Sequence, residues 1–170
     1  ILERCDIQQN DEFLDLGSGC GRAVLAASIL HGHLLKSSYG IEILEPLHHV
    51  AVGCEKRFQM LRNSDPHERY DFGSTEIGFI IGDVRYSKWP NQANIVFVGS
   101  ATYGTKTMKL IEERIIENLP IGGKVITLTR QLFQQEDEQQ KKDLLFKEID
   151  SVLVKMTWGH SRCFIYKRLK

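Results

Sequence analysis

The sequence predicts a single α/β domain built on a doubly wound, mostly parallel sheet. Three observations carry that expectation. Short apolar runs alternate with stretches of helical period in a β-α-β-α rhythm. The first apolar run ends in a glycine-rich turn, Gly17-Ser18-Gly19-Cys20-Gly21. The chain closes on two apolar runs joined by a tight turn, which adds an antiparallel hairpin strand. Strands separated by helices need crossover connections, and these put helices on both faces of a sheet.

The elements follow in order. Residues 12–16 (EFLDL) are apolar, stop at glycine and read as the first strand. Residues 20–30, rich in Ala, Leu and Ile, read as a buried helix. Residues 38–43 (SYGIEI) read as the second strand, and 47–61 carry apolar residues at helical spacing. Residues 64–74 (SDPHERYDFGS) are polar with a proline and a glycine, and read as a loop. Residues 77–81 and 95–98 (IVFV) read as the third and fourth strands, and 105–119 as a helix. Pro120-Ile121-Gly122-Gly123 is a turn before the fifth strand, 124–128 (KVITL). Residues 134–146 read as a charged, glutamine-rich helix or a solvated loop. Two last strands fall near 151–157 and 162–168, joined by a turn at 158–161. The result is a Rossmann-like, mostly parallel seven-stranded sheet with an antiparallel C-terminal hairpin strand.

Composition narrows the function. The chain has 170 residues, of which 42% are hydrophobic and 26% charged, so one domain (residues 1–170) with a substantial core is expected. Lys plus Arg equals Asp plus Glu at 22 each, so no global basic field attracts nucleic acid or an anionic membrane. No apolar run is long enough to span a membrane. Cys5, Cys20, Cys54 and Cys163 form no C-x-x-C pair and read as reduced thiols of an intracellular protein. The chain begins with Ile1 rather than Met and reads as an excerpt of a longer one.

The chemistry concentrates at three strand ends. In an open parallel sheet, ligands bind beyond the carboxyl ends of the strands. Asp15 closes the first strand, and Gly17, Gly19 and Gly21 follow. The G-x-G-x-G spacing differs from the G-x-G-x-x-G that seats a pyrophosphate on a helix N-terminus. A glycine-rich turn alone is equally consistent with plain turn chemistry. Glu42 closes the second strand, 21 residues past Gly21, where an acid can accept both ribose hydroxyls. Asp83 closes the third, where a carboxylate can accept an adenine amine. Three acids at three successive strand ends fit a ligand with a cationic amino end, a ribose and an adenine. S-adenosylmethionine is such a ligand.

At this point the residues resemble class I, seven-β-strand S-adenosylmethionine-dependent methyltransferases. Within that group they are most similar to the disruptor-of-telomeric-silencing family, the non-SET nucleosomal histone-lysine methyltransferases. Residues 11–25 (DEFLDLGSGCGRAVL) look like that family's first motif, and Tyr39-Gly40-Ile41-Glu42 like its ribose-binding strand end. Gly82-Asp83-Val84 is similar to its adenine-binding segment. Residues 95–104 (IVFVGSATYG) are similar to its fourth strand and active-site segment. Thr157-Trp158-Gly159 and Cys163-Phe164 resemble the hairpin that lines its lysine channel. The resemblance implies cofactor contacts from Asp15, Gly17, Ser18, Gly19, Gly21, Arg22, Glu42, Asp83, Val84 and Gly99. It implies Tyr103, Ser100, Phe164 and Trp158 as the catalytic-site and substrate-channel residues. The same aromatics read equally well as core. Two departures stand out: Arg22 occupies a position where the family has glutamine, and Gly99-Ser100 replace paired asparagines.

The implied function is methyl transfer from S-adenosylmethionine to a protein lysine, histone in a nucleosome by resemblance, in the nucleus. The alternatives are an acceptor that is a non-histone protein or a small molecule, in the cytoplasm, or a catalytically weak methyltransferase-like binding module. A dehydrogenase fits poorly, since the glycine spacing is wrong. No metal site is expected, because His31-x-His33 and His48-His49 lack carboxylate or cysteine partners at ligand spacing. No nucleic-acid motif appears. The basic C-terminus (Arg162, Lys167, Arg168, Lys170) reads as a contact for DNA or an acidic histone surface, or as charge guarding an edge strand. Oligomeric state is not legible.

Overall fold

The computed structural model describes residues 1–64, 73–90, 92–133, 145–156 and 159–170. In chain order the strands are β1 (Asp11–Leu16), β2 (Leu35–Glu42), β3 (Glu76–Ile81), β4 (Ile95–Val98), β5 (Lys124–Leu128), β6 (Phe146–Met156) and β7 (Gly159–Arg168). The helices are α1 (Arg22–His31), α2 (Glu45–Ser64) and α3 (Thr105–Asn118). All seven strands form one sheet in the order β3-β2-β1-β4-β5-β7-β6. β1 to β5 run parallel. β7 runs antiparallel to both β5 and β6. This is the doubly wound α/β fold that the sequence predicts.

The strand order reverses direction between β1 and β4. From β1 the chain steps through β2 to β3 on one side, and from β4 it steps to β5 on the other. Right-handed crossovers then place α1 and α2 on one face and α3 on the opposite one. The core divides accordingly. Met108, Ile111 and Ile115 of α3 pack with Leu14, Leu16, Val96, Val98 and Val125. Val24 and Ala27 of α1 pack with Phe13, Ile95, Ile126 and Ile165. β1 contributes to both layers because successive side chains alternate faces, and all six of its residues are buried. Burying one such Leu or Ile stabilises the fold by roughly 1.5–3 kcal/mol, so Leu16→Ala should cost about 2–5 kcal/mol.

Element boundaries differ from the expectations in ways that have local causes. α1 begins at Arg22 rather than residue 20, because Gly21 takes the left-handed φ of 80° and ends the loop only there. β6 starts at Phe146, where the sequence suggests the end of a helix, and residues 134–144 lie outside the described residues. The polar loop expected at 64–74 lies largely at 65–72, also outside them. One expectation is overturned. The basic C-terminal strand is not an edge: β7 sits between β5 and β6, and β6 is the edge strand. The reason is its run Cys163-Phe164-Ile165-Tyr166, buried on both faces as an interior strand requires. Arg168 does not guard an edge; its Nη1 donates to the Leu119 carbonyl and its Nε to the Lys170 carbonyl at 2.7 Å. No described helix is long and apolar enough to cross a membrane.

Candidate functional site

The loop after β1 folds back on β2. The N–H groups of Gly17 and Ser18 both donate to the Ile41 carbonyl, at 2.9 and 3.0 Å. Gly21 N–H donates to the Ser18 carbonyl at 2.9 Å and closes the turn. Gly17 (φ 85°) and Gly21 (φ 80°) adopt left-handed conformations that other residues rarely take. Gly17 is also crowded: a Cβ there would stand 2.0 Å from the Tyr103 hydroxyl. That hydroxyl donates to the Leu16 carbonyl at 3.1 Å, tying the segment after β4 to the foot of the loop. Ser18 packs against Gly40 of β2, where a Cβ would meet the serine side chain at 2.5 Å.

Glu42 fixes the neighbouring strand end. One of its carboxylate oxygens accepts the Gly19 N–H at 2.7 Å, and the other accepts the Leu44 N–H at 2.8 Å. Each oxygen retains a second lone-pair site. The same side chain therefore shapes the glycine loop and the β2–α2 turn, with acceptor capacity left over.

Asp15 lies at the base of this arrangement, 3% exposed. Its Oδ1 has no hydrogen-bond partner among the described residues. Burial, and then the nearby Glu42 carboxylate, push its pKa up to about 7. An orphaned, buried carboxylate oxygen is costly, and a cationic or N–H-bearing ligand group would offset that cost. Tyr103 belongs to the same cluster: burial, then Asp15, Glu42 and Asp83, all raise its hydroxyl pKa.

Asp83 opens a tight turn beyond β3. Its carbonyl accepts the N–H groups of Tyr86 and Ser87, at 3.0 and 2.8 Å. Arg114 of α3 donates to the Ser87 carbonyl at 2.6 Å and anchors the turn from below. The carboxylate of Asp83 is gripped by Arg85: the backbone N–H and Nε each reach Oδ1 at 2.9 Å, and Nη2 bonds Oδ2. The guanidinium holds the carboxyl below its usual pKa.

These strand ends enclose a cleft of about 530 Å³, within the range of small-molecule sites. Of the residues expected to bind a cofactor, Gly17, Gly19, Glu42, Asp83, Val84 and Gly99 line it, and Tyr103 of the channel set joins them. Asp15, Ser18 and Gly21 stand behind the lining and shape the loop. Arg22 is exposed at the start of α1 and does not line the cleft. Ser100 turns away: it is fully buried and donates to the Leu128 carbonyl. Phe164 is buried in the core layer beneath α3. Trp158 and Thr157 lie outside the described residues.

Sequence reasoning missed part of the lining. Ile43, Leu44 and Leu47 form an apolar wall; the first two are more than half exposed and Leu47 is 39% exposed, a contiguous apolar surface of the kind that marks a binding site. Their signal was available: two apolar residues directly follow the strand-end acid. Arg85 is the cation among the lining residues and carried no motif of its own. Among the described residues, no group of three or more His, Cys, Asp or Glu could hold a metal ion.

Across the sheet the acids fall in the order Asp83 just beyond β3, Glu42 at the end of β2 and Asp15 on β1. The orphaned Asp15 oxygen, the spare capacity of Glu42 and the apolar wall beside them fit S-adenosylmethionine.

Comparison with known proteins points the same way. The family model "Histone methylation protein DOT1" matches residues 1–160. The chain is 27% identical over 131 residues to a histone-lysine N-methyltransferase, H3 lysine-79 specific, of Eremothecium gossypii, covering 75% of this chain and 22% of that protein. It is 23% identical over 133 residues to a protein of the same description from Kluyveromyces lactis, again covering 75% and 22%. The chain thus spans about a fifth of the length of these curated relatives (22%). Among solved structures, an RNA methyltransferase from Salinibacter ruber, in complex with S-adenosyl-L-homocysteine, superposes with a TM-score of 0.70 at 19% identity, covering 99% of this chain and 88% of that one. The N-methyltransferase NodS from Bradyrhizobium japonicum gives 0.67 at 13% identity, covering 99% and 84%. At these identities the likeness shows the fold.

Proposed function

The chain belongs to the DOT1 histone methylation family, and from that premise we propose that it is an S-adenosylmethionine-dependent protein-lysine methyltransferase whose acceptor is histone in a nucleosome. The observation that carries the cofactor reading is Asp15: a buried carboxylate with an unpartnered oxygen, beneath a glycine loop, in line with Glu42 and Asp83. On this reading the protein acts in the nucleus, as a histone-modifying enzyme must.

The geometry supports the following roles. Glu42 holds the ribose hydroxyls with the lone pairs that Gly19 and Leu44 leave free. Asp83 accepts the adenine amine, and Leu44, Leu47 and Val84 cover the base. Asp15 sits nearest the amino-acid end. When bound, S-adenosylmethionine supplies an electrophilic methyl on a sulfonium. The protein's part is to align a neutral amine with it and to exclude water. A lysine amine with an ordinary pKa of ~10.4 must shed its proton, and an apolar approach lined by Tyr103 favours the neutral form. No side chain is needed as an obligatory base.

A second reading has its own observation. Gly99 has no side chain, and the Ser100 hydroxyl is spent on the Leu128 carbonyl. The segment over the methyl-transfer position therefore offers no side-chain amide, which suits a cofactor-binding module of low catalytic power. Calorimetry with S-adenosylhomocysteine and with NAD tests the cofactor assignment; binding of NAD without S-adenosylhomocysteine overturns it. Transfer of labelled methyl to nucleosomes, free histone and bulk lysate protein then separates the acceptors. Binding without transfer to any of them favours the second reading.

A further inference from the structure

The geometry points to Arg85 as a specificity-determining residue: with Asp83 it sets a hydrogen-bond donor beside an acceptor, and the pair reads a nucleobase edge that carries an amine next to a ring nitrogen. The inference rests on the reading that the cleft takes a nucleoside-containing ligand.

The first support is the occupancy of the Asp83 carboxylate. Oδ1 accepts the backbone N–H of Arg85 and one branch of its shared Nε–H, each at 2.9 Å. Oδ2 accepts Nη2, with a weaker contact from Nε at 3.0 Å. Asp83 therefore cannot receive a base amine as an isolated carboxylate. What it still offers is the far side of Oδ2, next to the guanidinium.

The second support is the donor capacity of Arg85. A guanidinium carries five N–H groups in a fixed plane. The fork engages Nε–H and one N–H of Nη2, so a second Nη2–H and both Nη1–H groups lie beyond it. The Arg85 side chain is 37% exposed and lines the cleft with Asp83, Val84 and Leu44. It is also held in place: the guanidinium carbon lies 5.1 Å from the centroid of the Tyr86 ring. A pinned donor beside a pinned acceptor is a two-point reader, whereas a free carboxylate accepts from any amine.

Adenine has an exocyclic amine flanked by two ring acceptors, N1 and N7, so the pair fits either flank. Calorimetry with S-adenosylhomocysteine and with its 1-deaza and 7-deaza analogues, each lacking one ring acceptor, tests this on wild type, Arg85→Met and Arg85→Lys. We expect wild type to lose about fivefold or more for one of the two analogues. Arg85→Met should bind S-adenosylhomocysteine more weakly by a similar factor and treat all three ligands alike. Arg85→Lys, which keeps the charge but not the fork, should behave like the methionine variant. Thermal melts check that the variants are folded. Equal affinity of wild type for all three ligands overturns the inference, as does the same analogue penalty in Arg85→Met. Tighter binding by Arg85→Met also overturns it, because the fork would then compete with the base. If wild type binds S-adenosylhomocysteine in none of these assays, the cofactor assignment itself fails.

Discussion

The Tyr103 hydroxyl donates to the Leu16 carbonyl across 87 residues of chain and occupies the space that a side chain at Gly17 would need. Gly17→Ala therefore meets two penalties, a 2.0 Å clash and a left-handed φ. We expect it to lower the melting temperature by several degrees and S-adenosylhomocysteine affinity by tenfold or more. Tyr103→Phe alone removes one hydrogen bond, worth about 1 kcal/mol. The double variant should recover part of the loss, because the hydroxyl is the nearest obstacle. Strict additivity in a double-mutant cycle would separate the two residues.

The raised pKa of Asp15 should make the stability of the ligand-free protein pH-dependent. Its folded pKa, about 7, lies above the ordinary 3.8, so the folded state holds the proton more tightly than the unfolded chain. Stability then falls as pH rises from about 4 to about 7 and levels off above. The full penalty is at most about 4 kcal/mol. Asp15→Asn removes the ionisable group. Its melting temperature should exceed wild type at pH 8, with the gap closing toward pH 4, while S-adenosylhomocysteine affinity drops. A constant gap across that range would show that Asp15 ionisation does not set stability.

Glu42→Ala leaves the Gly19 and Leu44 N–H groups without their acceptors. We expect a stability loss of about 1–3 kcal/mol and at least tenfold weaker S-adenosylhomocysteine binding. Glu42→Gln keeps one acceptor and should fall between. Calorimetry and melting curves on the same samples separate the two effects. Unchanged affinity in Glu42→Ala removes this residue from the site.

Ser100→Ala tests a position that resemblance places in the channel and the fold turns inward. The hydroxyl is buried and donates to the Leu128 carbonyl, which also accepts the Arg130 N–H at 2.9 Å, so its loss should cost only about 0.5–1.5 kcal/mol. Cofactor affinity should stay within twofold of wild type. A large drop in affinity with an unchanged melt would return Ser100 to the cleft.

Arg114→Met should loosen the Asp83 turn, since Arg114 holds the Ser87 carbonyl at 2.6 Å. A two- to fivefold loss in S-adenosylhomocysteine affinity is expected from about 0.5–1 kcal/mol of lost positioning. The comparison with Gly17→Ala is informative: one variant perturbs the Asp83 turn of the cleft, the other its glycine loop.

The strand ends were legible because each is a local event. Leu16 stops at Gly17, Ile41-Glu42 gives way to a helical pattern, and Ile81 stops at Gly82-Asp83. Those three positions place the acids, and the topology of a parallel sheet brings them to one edge. Residues whose roles depend on distant partners were not legible. Arg85 looks like any surface arginine until its guanidinium is seen on Asp83. Leu44 and Leu47 look like core until their exposure is known. Ser100 looks exposed to the cleft until Leu128, 28 residues on, takes its hydroxyl.

By itself the sequence determined the alternation of strands and helices, the glycine loop and the line of acids, because period, turn chemistry and strand termini are set within a few residues. Only the tertiary structure decided that β7 lies inside the sheet, where burial on both faces of Cys163 to Tyr166 outweighs the charges at its end. Only it decided that Asp15 is desolvated enough to hold a proton near neutrality, since that depends on Glu42 and on the burial of the whole loop. Local preference fixes where a side chain is along the chain. Its charge state and its partners are fixed by what the fold packs against it, and here that packing sets Glu42 and Asp83 on one cleft with Asp15 buried behind its glycine loop.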